Sequence, residues 1–247
     1  MREPSAQEAQ EFIAASGFIW HQRFELGPQV FTPGANDIGW LLHEADLPLV
    51  MDGMSVLDIG TTNGAMAFEC ERRGASRIVA VDILDPEHFG LTPLIRFLES
   101  KVEYVQASVY ELADVLDEQF DFVVFWGVLY HLRHPLLGLD SVRRLSKGRM
   151  TLETAVCDHA DGAVGPLARF HRLDDLGGDG TNWWSPSLEA LHAWVASAGY
   201  SIRKSTPIPS AKDASRALLD LEVSGEKPEY LAVSYERPLR LQTIDLS

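Results

Sequence analysis

The 247-residue chain carries 36 acidic against 21 basic side chains, a formal net charge of −15. That balance disfavours a nucleic-acid partner, because phosphate contacts need clustered Lys and Arg, and the basic pairs Arg72-Arg73, Arg143-Arg144 and Arg203-Lys204 read as solvated faces. No apolar run is long enough to span a bilayer, the start Met1-Arg2-Glu3-Pro4 lacks the order of a signal peptide, and Cys70 and Cys157 are isolated, so a cytoplasmic protein without disulfides is expected.

Residues 7–15 can form a helix. Two aromatic-rich pieces follow, Phe18-Ile19-Trp20-His21 and Val30-Phe31-Thr32-Pro33-Gly34, and a second helix is expected over about 35–45. Residues 1–50 therefore read as an N-terminal extension and substrate lid, ahead of a main domain over 51–247. That domain opens on Val56-Leu57-Asp58-Ile59-Gly60-Thr61-Thr62-Asn63-Gly64-Ala65, and Ile78-Val79-Ala80-Val81-Asp82 follows. An apolar run, a glycine turn, an amphipathic stretch over 65–73 and a second apolar run make one parallel βαβ unit, with a crevice at the strand tips. Asp82 ends the second strand where a ribose diol would sit. The glycines do not fit G-x-G-x-x-G, so a dinucleotide fingerprint is excluded.

Alternation continues. Strands are expected near 55–60, 77–82, 102–106, 121–126 and 149–154, with helices near 93–98, 109–116 and 135–146 between them. Phe120-Asp121-Phe122-Val123-Val124-Phe125-Trp126 breaks at Gly127, before Val128-Leu129-Tyr130-His131. The helix from Pro135 carries Leu136, Leu137, Leu139, Val142 and Leu145 near one face, and Gly148 is expected to end it. Residues 156–186 have no period and read as a lid. Ser187 caps a helix to Ala198, and late β runs at 200–206 and 230–235 would form a closing antiparallel pair.

The pattern Asp-x-Gly-x-x-x-Gly resembles motif I of the class I S-adenosylmethionine (SAM) dependent methyltransferases, with Thr62 replacing its central glycine. The Phe120–His131 run resembles their fourth-strand motif. The resemblance implies an α/β fold: a doubly wound, mostly parallel seven-stranded sheet that binds SAM. It places Asp58, Gly60, Thr61, Asn63 and Gly64 at the cofactor. It also implies Asp82 on the ribose, with Ile83, Ser108, Val109, Trp126 and Tyr130 around the rest of the cofactor. Gly127-Val128-Leu129-Tyr130-His131, Leu152-Glu153-Thr154 and Pro186-Ser187 are similar, more narrowly, to shorter relatives of the tRNA wobble-uridine carboxymethyltransferases. Those tRNA enzymes hold a carboxylated SAM with upstream lysines and a late arginine. Here the segment between Gly27 and Met54 has no Lys or Arg, and Gly180 stands near the arginine's place. Ordinary SAM is therefore the expected donor.

Methylating a hydroxyl needs a base within reach. His131, just past the fourth strand, is the first candidate, and the alternative is a histidine that only bonds backbone. Glu153 ends the fifth strand on the same rim and would orient His131. With Asp158 and His159, these two residues would also suit Mg²⁺. Trp20, His21, His159, Arg169, His171, Trp183 and Trp184 are the expected acceptor contacts, one of the adjacent tryptophans packing and the other facing substrate. The function expected is O-methylation of a small polar acceptor, a saccharide or glycosylated metabolite, with room for a homodimer. The alternatives are tRNA wobble-uridine modification and a catalytically silent SAM-binding scaffold.

Overall fold

A computed structural model describes residues 1–157, 165–208 and 215–225. Helix α1 (Ala6–Ala15) starts at Ser5, whose hydroxyl accepts the Glu8 N–H while Glu8 returns a bond to the cap, a closed capping box. The next segment folds as short paired pieces: Gln22–Arg23 lies parallel to Asn36–Asp37, and Glu25–Gly27 pairs with Val30–Phe31. Helix α2 (Gly39–Glu44) begins later than expected because residues 36–37 are committed to that pairing, and Asp37 Oδ1 accepts the Gly39 N–H at 2.9 Å.

The central sheet has seven strands. In chain order, with their helices, these are β1 (Ser55–Ile59), α3 (Ala65–Arg72), β2 (Arg77–Asp82), α4 (Leu91–Leu98), β3 (Glu103–Gln106), α5 (Leu112–Val115), β4 (Phe120–Trp126), α6 (Pro135–Leu145), β5 (Ser146–Ala155), α7 (Leu188–Ser197), β6 (Tyr200–Ile208) and β7 (Arg216–Val223). Their spatial order is β6-β7-β5-β4-β1-β2-β3, parallel except for β7, which runs antiparallel to both neighbours. The order reverses between β1 and β4, which opens a crevice at their C-terminal tips. The inner strands bury both faces: Val56, Ile78 and Val124 join α3, α4 and the N-terminal segment, while Leu57, Val79 and Val123 join α5, α6 and α7. The extension thus shares a core with the sheet, through Ala9, Phe24, Leu26, Val30 and Leu41.

Several expectations need correction. Helix α4 begins at Leu91 rather than 93, with Pro93 tolerated in its first turn. The expected helix over 109–116 is split into a 3₁₀ turn, Val109–Glu111, and the short α5. The strand that closes the sheet is Arg216–Val223, whereas residues 230–235 lie outside the described residues. Asp220 had disguised that strand. It is buried in the apolar run, where its carboxylate accepts the Asp46 N–H. The stretch 156–186 contains a small hairpin, Ala168–Phe170 against Trp184–Pro186.

Gly148 does not end α6. It lies within β5, which begins directly at Ser146, and a Cβ there would sit 2.3 Å from the Asp121 carbonyl oxygen. Backbone on β4 cannot yield as a side-chain tip would. Gly148→Ala is expected to cost about 1–3 kcal/mol, as overpacking does, and to lower the midpoint of thermal unfolding by several degrees. An unchanged melting curve would show that the β4–β5 edge adapts.

Candidate active site

At the strand tips lies a cavity of about 890 Å³, near the upper end of small-molecule sites. Its floor is the motif I turn. Gly60 has φ 78° and Gly64 φ 85°, and Thr62 holds φ 48° without being glycine. A β-branched residue in that region is a true outlier. It is held by its N–H, which Asp82 Oδ2 accepts at 2.9 Å. A Cβ on Gly60 would fall 2.2 Å from Val128 Cγ2, and one on Gly64 2.5 Å from Leu91 Cδ1. These glycines therefore let the protein's own elements close over the turn.

Asp82 Oδ1 also accepts the Leu84 N–H at 3.2 Å. Burial pushes its carboxyl up, against the bonds from Thr62, Leu84 and Ile83. Asp58 is buried at the end of β1 and accepts the Thr61 hydroxyl at 2.7 Å. Burial pushes Asp58 up to about 7, with the bonds from Thr61 and Ala67 opposing and the nearby Asp82 charge adding. Asp58, Gly60, Asp82, Ile83, Trp126 and Tyr130 all line the cavity.

Other expected cofactor contacts lie elsewhere. Asn63 is fully buried: its Oδ1 accepts the His21 and Gln22 N–H groups at 2.8 Å, and its Nδ2 donates to the Ile19 and Phe89 carbonyls. It pins the N-terminal segment to the turn. Thr61 is spent on Asp58, and Gly64 caps α3 without lining the cavity. Ser108 caps the 3₁₀ turn and Val109 is core, neither lining the cavity.

On the opposite wall, Trp126 donates from Nε1 to Thr151 Oγ1 at 3.0 Å. Glu153 is 3% exposed and does not orient His131. Its oxygens meet Arg216 Nε at 2.5 Å and Nη2 at 2.8 Å, and the Gly127 N–H reaches Oε2 at 3.1 Å. A carboxylate so engaged is a poor metal ligand, so the expected Mg²⁺ role of His131 and Glu153 loses its anchor. Asp158 and His159 lie outside the described residues. Among the described residues, no group of three or more His, Cys, Asp or Glu is placed to hold a metal.

Arg216, like Trp40, Asp179 and Thr181, is a cavity residue that the sequence motifs do not announce. Its guanidinium lies 4.6 Å above the Tyr130 ring and lines the cavity. Burial pulls its pKa down, but the bond to and charge of Glu153 outweigh that and raise it. The signal was a lone arginine at the start of an unassigned strand.

His131 lines the cavity with its ring 4.2 Å from Tyr130. Burial holds its imidazole below the ordinary histidine value, with the Arg216 and His21 charges adding; the Thr181 backbone bond and the Asp179 charge oppose. His21 and Trp183 also line the cavity. Trp184 packs: its Nε1 donates to the Arg133 carbonyl at 3.1 Å and its ring meets Phe170 edge-on. Trp20 packs too, 4.6 Å from Phe18, with Nε1 donating to Ser16 Oγ. His171 is 4% exposed and bonds Ser185 Oγ at 2.7 Å beside the hairpin, while Arg169 is exposed on the hairpin and outside the cavity lining. Trp184, Trp20, His171 and Arg169 thus all lie outside the cavity lining.

A doubly wound sheet with one reversed strand, and with acids at the tips of its first two strands, defines a class I SAM-dependent methyltransferase. A family model described as a methyltransferase domain matches residues 41–205, and the chain belongs to that family. The chain is similar to the tRNA U34 carboxymethyltransferase of Helicobacter pylori strain Shi470, 27% identical over 218 residues, covering 83% of this chain and 80% of that one. Among solved structures it resembles the magnesium protoporphyrin IX methyltransferase of Synechocystis PCC 6803 with bound S-adenosylhomocysteine (SAH). That match has a TM-score of 0.53 and 15% identity, over 76% of this chain and 80% of that one. It also resembles the N-terminal domain of EvdMO1 in the presence of SAH and D-fucose, with a TM-score of 0.57 and 17% identity over 88% of this chain and 94% of that one. The protein is a SAM-dependent methyltransferase, and no helix among its described residues is long and apolar enough to cross a membrane.

Proposed function

We propose that this enzyme transfers the methyl group of ordinary SAM to a hydroxyl oxygen of a small, polar, uncharged acceptor, a saccharide or glycosylated metabolite. The observation that carries this reading is the pairing of Arg216 with Glu153, which cancels the cavity's arginine charge while His131 stays uncharged beside it. Among the described residues, an anionic acceptor or donor would find no free arginine or lysine on the cavity lining. The residues suit the cofactor: on this reading Asp82 would take the ribose diol and Asp58 the ammonium of the methionine part, and Met66, Ile83 and Trp126 line the cavity as apolar wall. When bound, SAM supplies a methyl group made electrophilic by its sulfonium. The chain holds the acceptor in line and excludes water, with Trp183 and Trp40 walling the cavity. His131 takes the hydroxyl proton.

Donor competition tests the cofactor half of the reading. SAM is expected to bind at least as tightly as carboxylated SAM, and a strong preference for the carboxylated donor would overturn it. Turnover on a panel of sugars and glycosides tests the acceptor half.

The relative's name supports a second reading, tRNA modification, and Arg216 gives it one cavity cation if Glu153 lets go. On that reading tRNA binds with an affinity that falls steeply with salt. On ours, unfractionated tRNA is not retained at physiological ionic strength.

A further inference from the structure

The lid loop that ends in Trp183 reaches the back of the His131 ring. Asp179 Oδ1 accepts the Thr181 backbone N–H at 2.8 Å and lies 2.7 Å from Thr181 Oγ1. That hydroxyl is also 3.0 Å from His131 Nδ1, and the Thr181 carbonyl oxygen is 3.3 Å from the same nitrogen. A threonine hydroxyl has one proton and can donate only once. The bonds from Thr181 hold the Asp179 carboxyl below its ordinary range, so it is ionised at neutral pH. A charge-assisted bond is roughly twice as strong as a neutral one, so the hydroxyl proton goes to Asp179. Thr181 Oγ1 then has only a lone pair to offer His131, and its carbonyl oxygen never has more than that.

We infer that the Asp179–Thr181 pair locks His131 in the tautomer with its proton on Nδ1, which leaves the Nε2 lone pair as the basic site. Asp179 and Thr181 are positioning residues. The inference deepens the proposed function and rests on His131 being its base. The loop is fastened where this matters: the Trp183 N–H donates to the Tyr130 carbonyl at 2.8 Å, and buried Asn182 donates to the Leu176 carbonyl at 2.8 Å. The lid therefore brings the base its correct tautomer as well as a wall. The charged and titratable groups facing the ring are Asp179, Arg216 with its partner Glu153, His21 and Tyr130.

The test reads the ring directly and needs no acceptor. Long-range ¹H–¹⁵N correlation spectra of the full chain, at a pH above the titration of His131, report which nitrogen is protonated, and the signal is assigned by its loss in His131→Gln. Wild type is expected to show Nδ1–H, and an Nε2–H pattern would overturn the inference. Asp179→Ala frees the hydroxyl proton to point at Nδ1, so the population should shift severalfold toward Nε2–H. Adding Thr181→Val removes that competing proton but keeps the carbonyl, so the double variant should return to Nδ1–H. An Asp179→Ala spectrum identical to wild type would also overturn the inference. Turnover of His131→Ala is the separate control: if it were normal while the tautomer behaved as stated, the base assignment would fail and the tautomer lock would stand.

Discussion

Replacing His131 with alanine is expected to leave SAM binding intact and to lower turnover by roughly 10²–10⁴-fold, the usual contribution of a positioned base. A sugar hydroxyl is too weak an acid to attack without losing its proton. His131 lines the cavity, and its proton-free form is favoured by burial and by the nearby Arg216 and His21 charges. The sign of the pH dependence follows. On the proposed reading the base works deprotonated, so rate is retained at neutral pH and lost as pH falls through a value below the ordinary histidine range. Protonation also opposes the fold, because the unfolded chain takes up that proton at the ordinary value, before the native ring does. The stability lost this way grows as pH falls through that window and then levels off. His131→Gln should fare little better than alanine, since an amide is not a base. Normal turnover in the alanine variant, with an unchanged pH–rate profile, would mean that positioning alone drives the reaction.

The sheet was legible where its signals are local. Ile78 to Val81 and Phe122 to Phe125 are unbroken apolar runs, and Val56 to Ile59 is interrupted only by Asp58, because both faces of these strands are covered. Asp58 and Asp82 stand at strand ends, so reading the strands also located the acids. The rest of the site is made by residues far apart in sequence. Arg216 meets Glu153 only because β7 inserts beside β5, and the Asp220 in β7 hides that strand from a hydropathy reading. Asn63 looked like a cofactor contact because it sits in the motif, yet its side chain spans the turn to backbone at 19, 21, 22 and 89. Nothing in the glycine spacing announces that partner. His171 and Trp20 have the polar and aromatic character of acceptor contacts, and both are consumed by local packing. Glu153 sits on the expected rim, but its direction is set by an arginine from the opposite end of the domain.

Asp82→Ala is expected to weaken SAM binding by about 2–3 kcal/mol, the scale of lost hydrogen bonds to a charged group, or roughly 30- to 150-fold in Kd. Asp82 ends β2 at the crevice, and it already accepts the Thr62 and Leu84 N–H groups. A carboxylate has about four lone-pair sites, so it can still accept from the ribose diol beyond those bonds. Alanine would remove both sets of bonds. Losing the ribose bonds acts on affinity alone, whereas losing the Thr62 bond releases a turn whose central residue holds φ 48° without being glycine. The two effects separate experimentally. Calorimetry with SAM and with SAH measures the first, and both ligands should weaken alike, because the methyl group is remote from the ribose. Thermal unfolding without ligand measures the second. Thr62→Gly in the Asp82→Ala background should recover stability without recovering affinity, since glycine takes that φ freely. If a folded Asp82→Ala protein bound both ligands as wild type does, the ribose would have to be held elsewhere on the cavity wall.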